Sequence, residues 1–447
     1  MSSEWIATTL GEICTEQGGA IQTGPFGSQL HTSDYKEIGI PVVMPTNIGD
    51  GGIIEDGIAR IDQSDVDRLS QHKLMLNDIV FSRRGDVTKN ALIREHEVGW
   101  FCGTGCLKVR LGPERIANPK FISHCLRLPD TKDWLVRHAV GATMPNLNTG
   151  ILSAVPINLP PISVQREIAA MLGSLDDRIS LLRETNTTLE AIAQALFKSW
   201  FVDFDPVHAK MQGRAPEGMD EATAALFPDS FEDSELGPVP KGWAVMPVGD
   251  AVDTVGGATP DTKISEYWEP PKHHWTTPKD LSGIASPALL GTERKLSDAG
   301  LKKISSGLLP QGSLLMSSRA PIGYLALNQV PMAINQGYIA IPPGGKLTPL
   351  HMLFWCQANM ENIKGRANGS TFMEISKKAF RPIPILVPSQ ATLAAFEDVA
   401  SVLFERLVDN ERQAQNLAAI RDALLPRLIS GQLQTEEAQH SLQEVES

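Results

Sequence analysis

The sequence predicts an α+β protein made of one domain written twice, each copy followed by a long helix, with the two helices pairing with each other. Three observations predict it. Residues 141–160, GATMPNLNTGILSAVPINLP, align without a gap with 369–388, GSTFMEISKKAFRPIPILVP, at an offset of 228. Two shorter matches keep the same order. Val80-Phe81-Ser82-Arg83-Arg84-Gly85 resembles Leu315-Met316-Ser317-Ser318-Arg319-Ala320 at offset 235, and Trp5 with Leu10-Gly11-Glu12 resembles Trp243 with Val248-Gly249-Asp250 at offset 238. The third observation is that each copy runs into the same heptad rhythm. Repetition of this kind decides architecture before local propensity does, and offsets that shrink along the chain mean one fold with trimmed loops.

The first domain, residues 1–160, holds short β-like runs at 38–43, 78–81 and 107–110, bounded by Gly, Pro, Asn or Asp. A helical stretch near 119–128 follows them. Residues 161–204 form the first long helix. Its apolar seam steps 4,3,4,3 through Ile168, Leu172, Leu175, Ile179, Leu182, Asn186, Leu189, Ala193, Leu196 and Trp200. Residues 205–240, rich in Pro, Gly, Asp and Glu, read as a linker with one helical turn near 222–227. The second domain, 241–388, repeats the pattern with strands at 313–316, 323–327 and 338–341 and a helix near 349–363. Strands and helices do not alternate as βαβ units, which excludes a Rossmann-type sheet.

The second long helix, 389–432, carries its seam on Phe396, Ala400, Leu403, Leu407, Asn410, Ala414, Leu417, Arg421, Leu424 and Leu428, at the same 228 offset. An acidic tail, 433–447, ends the chain. Each helix of about 40 residues is ~60 Å long. One such helix alone reads as lying on its own domain. Two with matched length, phase and a polar interruption favour pairing through Ile168, Leu172, Leu175, Ile179, Leu182 and Leu189 on one side, and Phe396, Leu403, Leu407, Leu417 and Leu424 on the other. Asn186 and Asn410 are the residue type that fixes register at some expense in stability. Ser163 and Ser389 are expected N-caps, and Gly431 an expected stop.

Net charge is −12, but it is unevenly spread. Residues 241–388 carry 15 basic and 10 acidic groups, while 205–240 and 389–447 are each at −6. A polyanion-binding face on the domains therefore survives the overall acidity. Five cysteines with no CxxC pair point to a reducing, cytoplasmic setting and to no zinc site. No signal peptide is evident at MSSEWIATTL, and no apolar run approaches the ~18 residues of a membrane span.

Catalytic motifs are missing. Gly344-Gly345-Lys346 is followed by Leu347 and lacks the leading glycine of a phosphate loop. GxGxxG, GxSxG, HExxH and the tetrads of amino-methyltransferases do not occur. His273-His274 has no spaced partner ligands, and Asp-Thr-Lys at 130–132 and 261–263 lacks an upstream acid. What remains are donor-rich loops: Gln22, Thr23, Ser28 and Gln29; Ser82, Arg83, Arg84 and Lys89; Ser317, Ser318 and Arg319; and Asn146, Asn148, Lys377, Lys378 and Arg381 before the long helices. Arg suits guanine, Asn and Gln suit adenine, and Lys and Ser suit phosphates. A solvated loop is the competing reading of each.

At this point the layout resembles the specificity (S) subunits of type I restriction-modification systems. The resemblance covers essentially the whole chain. It rests on the domain order, on Ile21-Gln22-Thr23-Gly24-Pro25-Phe26-Gly27-Ser28, and on Gly257-Ala258-Thr259-Pro260 with Tyr267-Trp268, Trp275-Thr276 and Asp280-Leu281. Most weight falls on the central run from Leu196-Phe197-Lys198-Ser199-Trp200-Phe201 through Asp205-Pro206-Val207 to Gly213-Arg214-Ala215-Pro216-Glu217-Gly218-Met219. The resemblance implies two target recognition domains separated by an antiparallel helical pair, each reading one half of a bipartite site in double-stranded DNA. It implies no catalytic site, metal or cofactor in this chain. Two modification subunits with S-adenosylmethionine and two restriction subunits with ATP and Mg would supply the chemistry. A two-headed protein scaffold and a stand-alone metal-dependent nuclease are the alternatives from other classes.

Overall fold

The computed structural model describes residues 5–141, 144–369, 373–435, 437 and 438. Thr143 and Thr371 of the repeat, and 439–447 of the acidic tail, lie outside the described residues. The chain divides into two compact units, Met1–Arg178 with Leu417–Ser447, and Ile179–Asn416.

In the first unit, Ile6–Thr9 pairs antiparallel with Pro156–Leu159, closing the domain on itself. A five-stranded sheet runs in the order Ala20–Thr23, Cys106–Arg110, Ile79–Ser82, Asn90–Leu92, Asp50–Gly51. A four-stranded sheet runs Tyr35–Lys36, Ala59–Ile61, Ile40–Val43, Phe101–Cys102. The second unit repeats this with Ala244–Pro247 on Pro384–Val387, a four-stranded sheet and a three-stranded sheet.

The registers show that the repeat is structural. Thr9 faces Pro156 and Pro247 faces Pro384, which reproduces the offsets 238 and 228. Arg84 and Val140 both bridge to Asn146, and Arg319 and Asn368 both bridge to Glu374, which reproduces 235 and 228. Cys106 faces Ser82 where Tyr338 faces Ser317, an intermediate offset of 232. The loss of ten residues between the ends of the repeat is thus spread over several loops.

The long helices are Ile162–Phe201 and Gln390–Ile429, each of 40 residues. They pair antiparallel. In the second unit Asn186 meets Asn410, and Phe197 stacks edge-on against Phe396. In the first unit Ile168, Leu172 and Leu175 share a core with Leu424, Leu425 and Leu428. Ile179, Leu182 and Leu407 are also buried, while Leu189, Leu403 and Leu417 are half-buried. Phe396 serves two purposes, packing on Trp200 and Phe201 of the first helix and on Phe354 of the domain. Ser389 caps its helix by accepting the Thr392 N–H at 3.1 Å, and Gly431 follows that helix with φ +72°. Ser163 is not a cap, because the first helix already starts at Ile162.

The two seam asparagines find each other. Asn410 Nδ2 donates to Asn186 Oδ1 at 2.9 Å, and Asn186 Nδ2 donates to the Leu407 carbonyl at 3.1 Å. A heptad slip would set Asn186 against Leu403 or Leu417 and Asn410 against Ile179 or Ala193, so the pair fixes the register. Asn410→Leu is expected to destabilise the chain by about 1–3 kcal/mol, because Asn186 Oδ1 is then buried without a donor. The double replacement N186L/N410L should recover most of that loss in chemical denaturation. A double variant as unstable as the single one would show that the amide pair is not the cause.

The expectation of a linker at 205–240 needs correction. This segment folds as helices Asp205–Met211 and Glu221–Ala225 and a hairpin, Phe231–Ser234 with Gly237–Pro240. Val207 and Phe227 are buried in the core of the second unit with Trp200, Phe201 and Trp243, so a few apolar residues anchor an otherwise acidic stretch. No described helix is long and apolar enough to cross a membrane.

Candidate nucleic-acid interface

In the first unit the predicted site residues gather around the turn between Phe101–Cys102 and Cys106–Arg110. The Gly24 N–H donates to the Cys106 carbonyl at 2.9 Å, and the Arg83 N–H to the Gly105 carbonyl at 2.8 Å. A Cβ on Gly24 would stand 2.1 Å from the Gly103 carbonyl oxygen, so only glycine lets this loop lie against the turn. Beyond it, Gln29 Oε1 accepts the Phe26 N–H at 3.0 Å and tightens the loop. Gln22, Phe26 and Ser28 are exposed on it, and Thr23 is half-buried. Arg83 Nε donates to Asn146 Oδ1 at 3.2 Å, which ties the strand end to the loop before the first long helix. Arg84 is exposed and has no protein acceptor among the described residues; Lys89 is half-buried. The neighbouring cations of the sheet are committed: Lys108 Nζ donates to the Gln71 and Lys73 carbonyls, and Arg110 pairs with Asp78.

The second unit builds the same turn with different side chains. The Ser318 N–H donates to the Gly337 carbonyl at 2.8 Å, as Arg83 does to Gly105. A Cβ on Gly257 would stand 1.8 Å from the Ile334 carbonyl oxygen. One end of the loop after Thr254 is held by Arg381, whose Nε and Nη2 donate to Thr254 Oγ1 and its carbonyl at 2.6 and 2.8 Å. Lys377 Nζ lies 3.5 Å from the place a Gly256 Cβ would occupy. The other end is held by two indoles: Trp275 Nε1 donates to the Ala258 carbonyl and Trp268 Nε1 to the Asp261 carbonyl, both at 3.2 Å. The result is a rigid loop with Lys377 and Lys378 exposed beside it. Arg319 Nη1 lies 3.7 Å from Glu374.

Several predicted contacts turn out to be structural. Ser82, Ser317 and Ser318 are buried at strand ends, because both faces of these central strands are covered. Ser82 Oγ donates to the Arg84 carbonyl, and Ser317 Oγ donates to the Pro321 carbonyl while accepting the Tyr324 N–H. Asn148 caps the helix Thr149–Ser153 through the Ile151 N–H, as Ser376 caps Lys377–Phe380. Arg381 is a loop anchor. His273 pairs with Asp298 and His274 with Thr292, and no cluster among the described residues is suited to a metal ion.

The family described as the Type I restriction modification DNA specificity domain matches residues 2–191 and 240–395, one segment per copy of the repeat. The chain belongs to this family. The specificity subunit of the type I restriction enzyme HindI of Haemophilus influenzae is 27% identical over 71% of this chain and 78% of its own. That of the MjaIX enzyme of Methanocaldococcus jannaschii is 34% identical over 42% of this chain and 43% of its own. The crystal structure of the S subunit of a type I restriction-modification system from M. genitalium shares the fold, with a TM-score of 0.52 at 17% identity over 96% of both chains. The two copies are therefore specificity domains, and the matched pairs Arg84–Asn146 and Arg319–Glu374 are equivalent places in them. Arg294 was not singled out from the sequence. Arg294 stands in no motif, and only its position over Trp268 and Trp275 gives it away.

Proposed function

We propose that this chain is the DNA-reading, non-catalytic subunit of a type I restriction-modification complex. Each specificity domain reads one half of an asymmetric bipartite site, and the paired helices set the unread spacer. The observation that carries this reading is the match of the DNA specificity family to both halves of a structural repeat whose donor-rich loops are rigidly held. Gln22, Ser28 and Arg84 in the first domain, and Lys377 and Lys378 in the second, offer side-chain donors that no protein acceptor among the described residues satisfies. The partners are two modification subunits, which use S-adenosylmethionine to methylate an adenine in each half-site, and two restriction subunits, which use ATP and Mg. A duplicated chain offers two like partners equivalent docking places. The complex works in the cytoplasm, and the five buried thiols fit that setting.

The experiment is an exchange of residues 1–160 for the corresponding domain of another member of the family, followed by single-molecule mapping of methylated adenines. One half-site should change while the other half-site stays. An unchanged motif in cells that express the partners would overturn the two-reader scheme.

A further inference from the structure

Among the described residues, Arg294 is the one arginine that lies over aromatic faces. Its guanidinium carbon lies 4.2 Å from the Trp268 ring centroid and 4.7 Å from that of Trp275, and the two indoles meet edge to face at 5.2 Å. Both rings are themselves fixed, Trp275 by burial and both by N–H bonds to the loop at 258–261. The two ring planes stand 83° apart, so one indole covers the face of the guanidinium and the other meets its edge, which fixes the group and leaves its remaining N–H donors pointing away from the rings. Among the described residues no carboxylate or carbonyl takes those donors, although the side chain is exposed. Arg68, Arg110, Arg127, Arg166, Arg412 and Arg421, by contrast, each hold an acid.

The repeat shows that the fold does not need this device. In the first domain Ile40–Val43 pairs with Ala59–Ile61 and sets Val42 opposite Ala59. In the second domain the equivalent strands bring the Trp275 N–H onto the Arg294 carbonyl, so Trp275 stands for Val42 and Arg294 for Ala59. Valine and alanine build the same strand pair. The tryptophans and the arginine are an addition to one domain, and both indoles bond the loop at 258–261, near whose start, at Gly256, Lys377 lies.

We propose that Arg294 is a specificity-determining residue that reads a guanine in the half-site taken by the second domain. A guanine presents O6 and N7 side by side in the major groove, which matches an immobilised guanidinium with open N–H donors. A phosphate contact asks only for charge, which the exposed Lys377 and Lys378 already provide. The inference rests on the proposed function of the chain.

The test is selection from random DNA duplexes by the full chain in complex with its modification subunits, for the wild type, Arg294→Lys and Arg294→Ala. Both variants should lose preference for guanine at one position by roughly ten- to hundredfold. The other half-site should be unaffected, and Arg294→Lys, which keeps the charge, should retain affinity for non-specific duplex. Arg294 is exposed, so the thermal midpoint serves as a folding control. An Arg294→Lys variant that keeps the full guanine preference, an Arg294→Ala variant that loses affinity equally for all sequences, or a half-site without a guanine would overturn the assignment. A wild type that selects no sequence at all would overturn the underlying function as well.

Discussion

Replacing Asp176 with alanine is expected to lower the stability of the unit that contains it by about 3–5 kcal/mol, read as a fall in its chemical denaturation midpoint. Asp176 accepts from Arg127 Nη1 at 2.7 Å and from Arg421 Nη1 at 2.6 Å, and His124 Nδ1 stands 4.0 Å away. Both guanidinium side chains are nearly buried, at 4% and 9% exposure. Burial alone would raise the carboxyl pKa of Asp176, but Arg127 and Arg421 outweigh it and hold the group below its ordinary value. Removing the carboxylate sets two buried cations against each other, with the exposed Asp422, 2.7 Å from Arg421 Nη2, giving only partial compensation. The repeat indicates how the strain is relieved. Offset 228 maps Asp176 to Phe404 and Arg421 to Ala193, which pack in the core of the second unit. The offset that aligns Pro119 with Pro349 maps Arg127 to Gln357. A triple variant, D176F/R127Q/R421A, should therefore regain most of what Asp176→Ala loses. A triple variant no better than the single one would mean that uncompensated charge is not what destabilises it.

The same repeat explains which features were legible in the sequence. Helix lengths, seam phase and the Asn186–Asn410 meeting were readable because a heptad stripe admits few three-dimensional solutions. The equivalence of Arg84 with Arg319 was readable because strand ends are conserved in spacing even where loops are trimmed. The order within 205–240 was legible only as the helical turn near 222–227, since Val207 and Phe227 follow no apolar period and only the neighbouring aromatic core gives them a place. The roles of individual polar residues were harder still. A serine at a strand end and a serine on a loop look alike in sequence, yet Ser82 and Ser317 turn inward while Ser28 turns outward. Arg294 was invisible because its partners, Trp268 and Trp275, lie 26 and 19 residues upstream and act through ring faces, a contact with no sequence period.

Acid should weaken both units between pH 6.5 and 5, before carboxylate protonation dominates, and two histidines should account for much of it. His124 is buried in the first unit and His351 in the second. Burial pushes His124 down to about 4, with Arg127 and Arg421 reinforcing it against the opposite pull of Asp176, and burial alone pushes His351 down to about 3. His351 is ringed by Phe197, Phe201 and Phe396, and its Nδ1 has no partner among the described residues. Both imidazoles stay neutral in the fold while the unfolded chain takes up protons at the ordinary value near 6.5. Their stabilisation is therefore complete above pH 6.5 and is lost as pH falls toward the folded values, by about 2 kcal/mol each at pH 5. Buried Glu97 and half-buried Glu190 and Glu397, whose carboxyls are raised, act in the opposite sense, so the total slope alone is not diagnostic. The repeat supplies the clean comparison. The offset that aligns Pro119 with Pro349 sets His351 against Phe121 and His124 against Phe354, so each copy carries phenylalanine where the other carries histidine. H124F and H351F should each fold at pH 7.5, and each should flatten the acid loss of its own unit by about 2 kcal/mol at pH 5. Denaturation curves at the two pH values decide it: variants that keep the wild-type dependence would place the acid sensitivity in other groups.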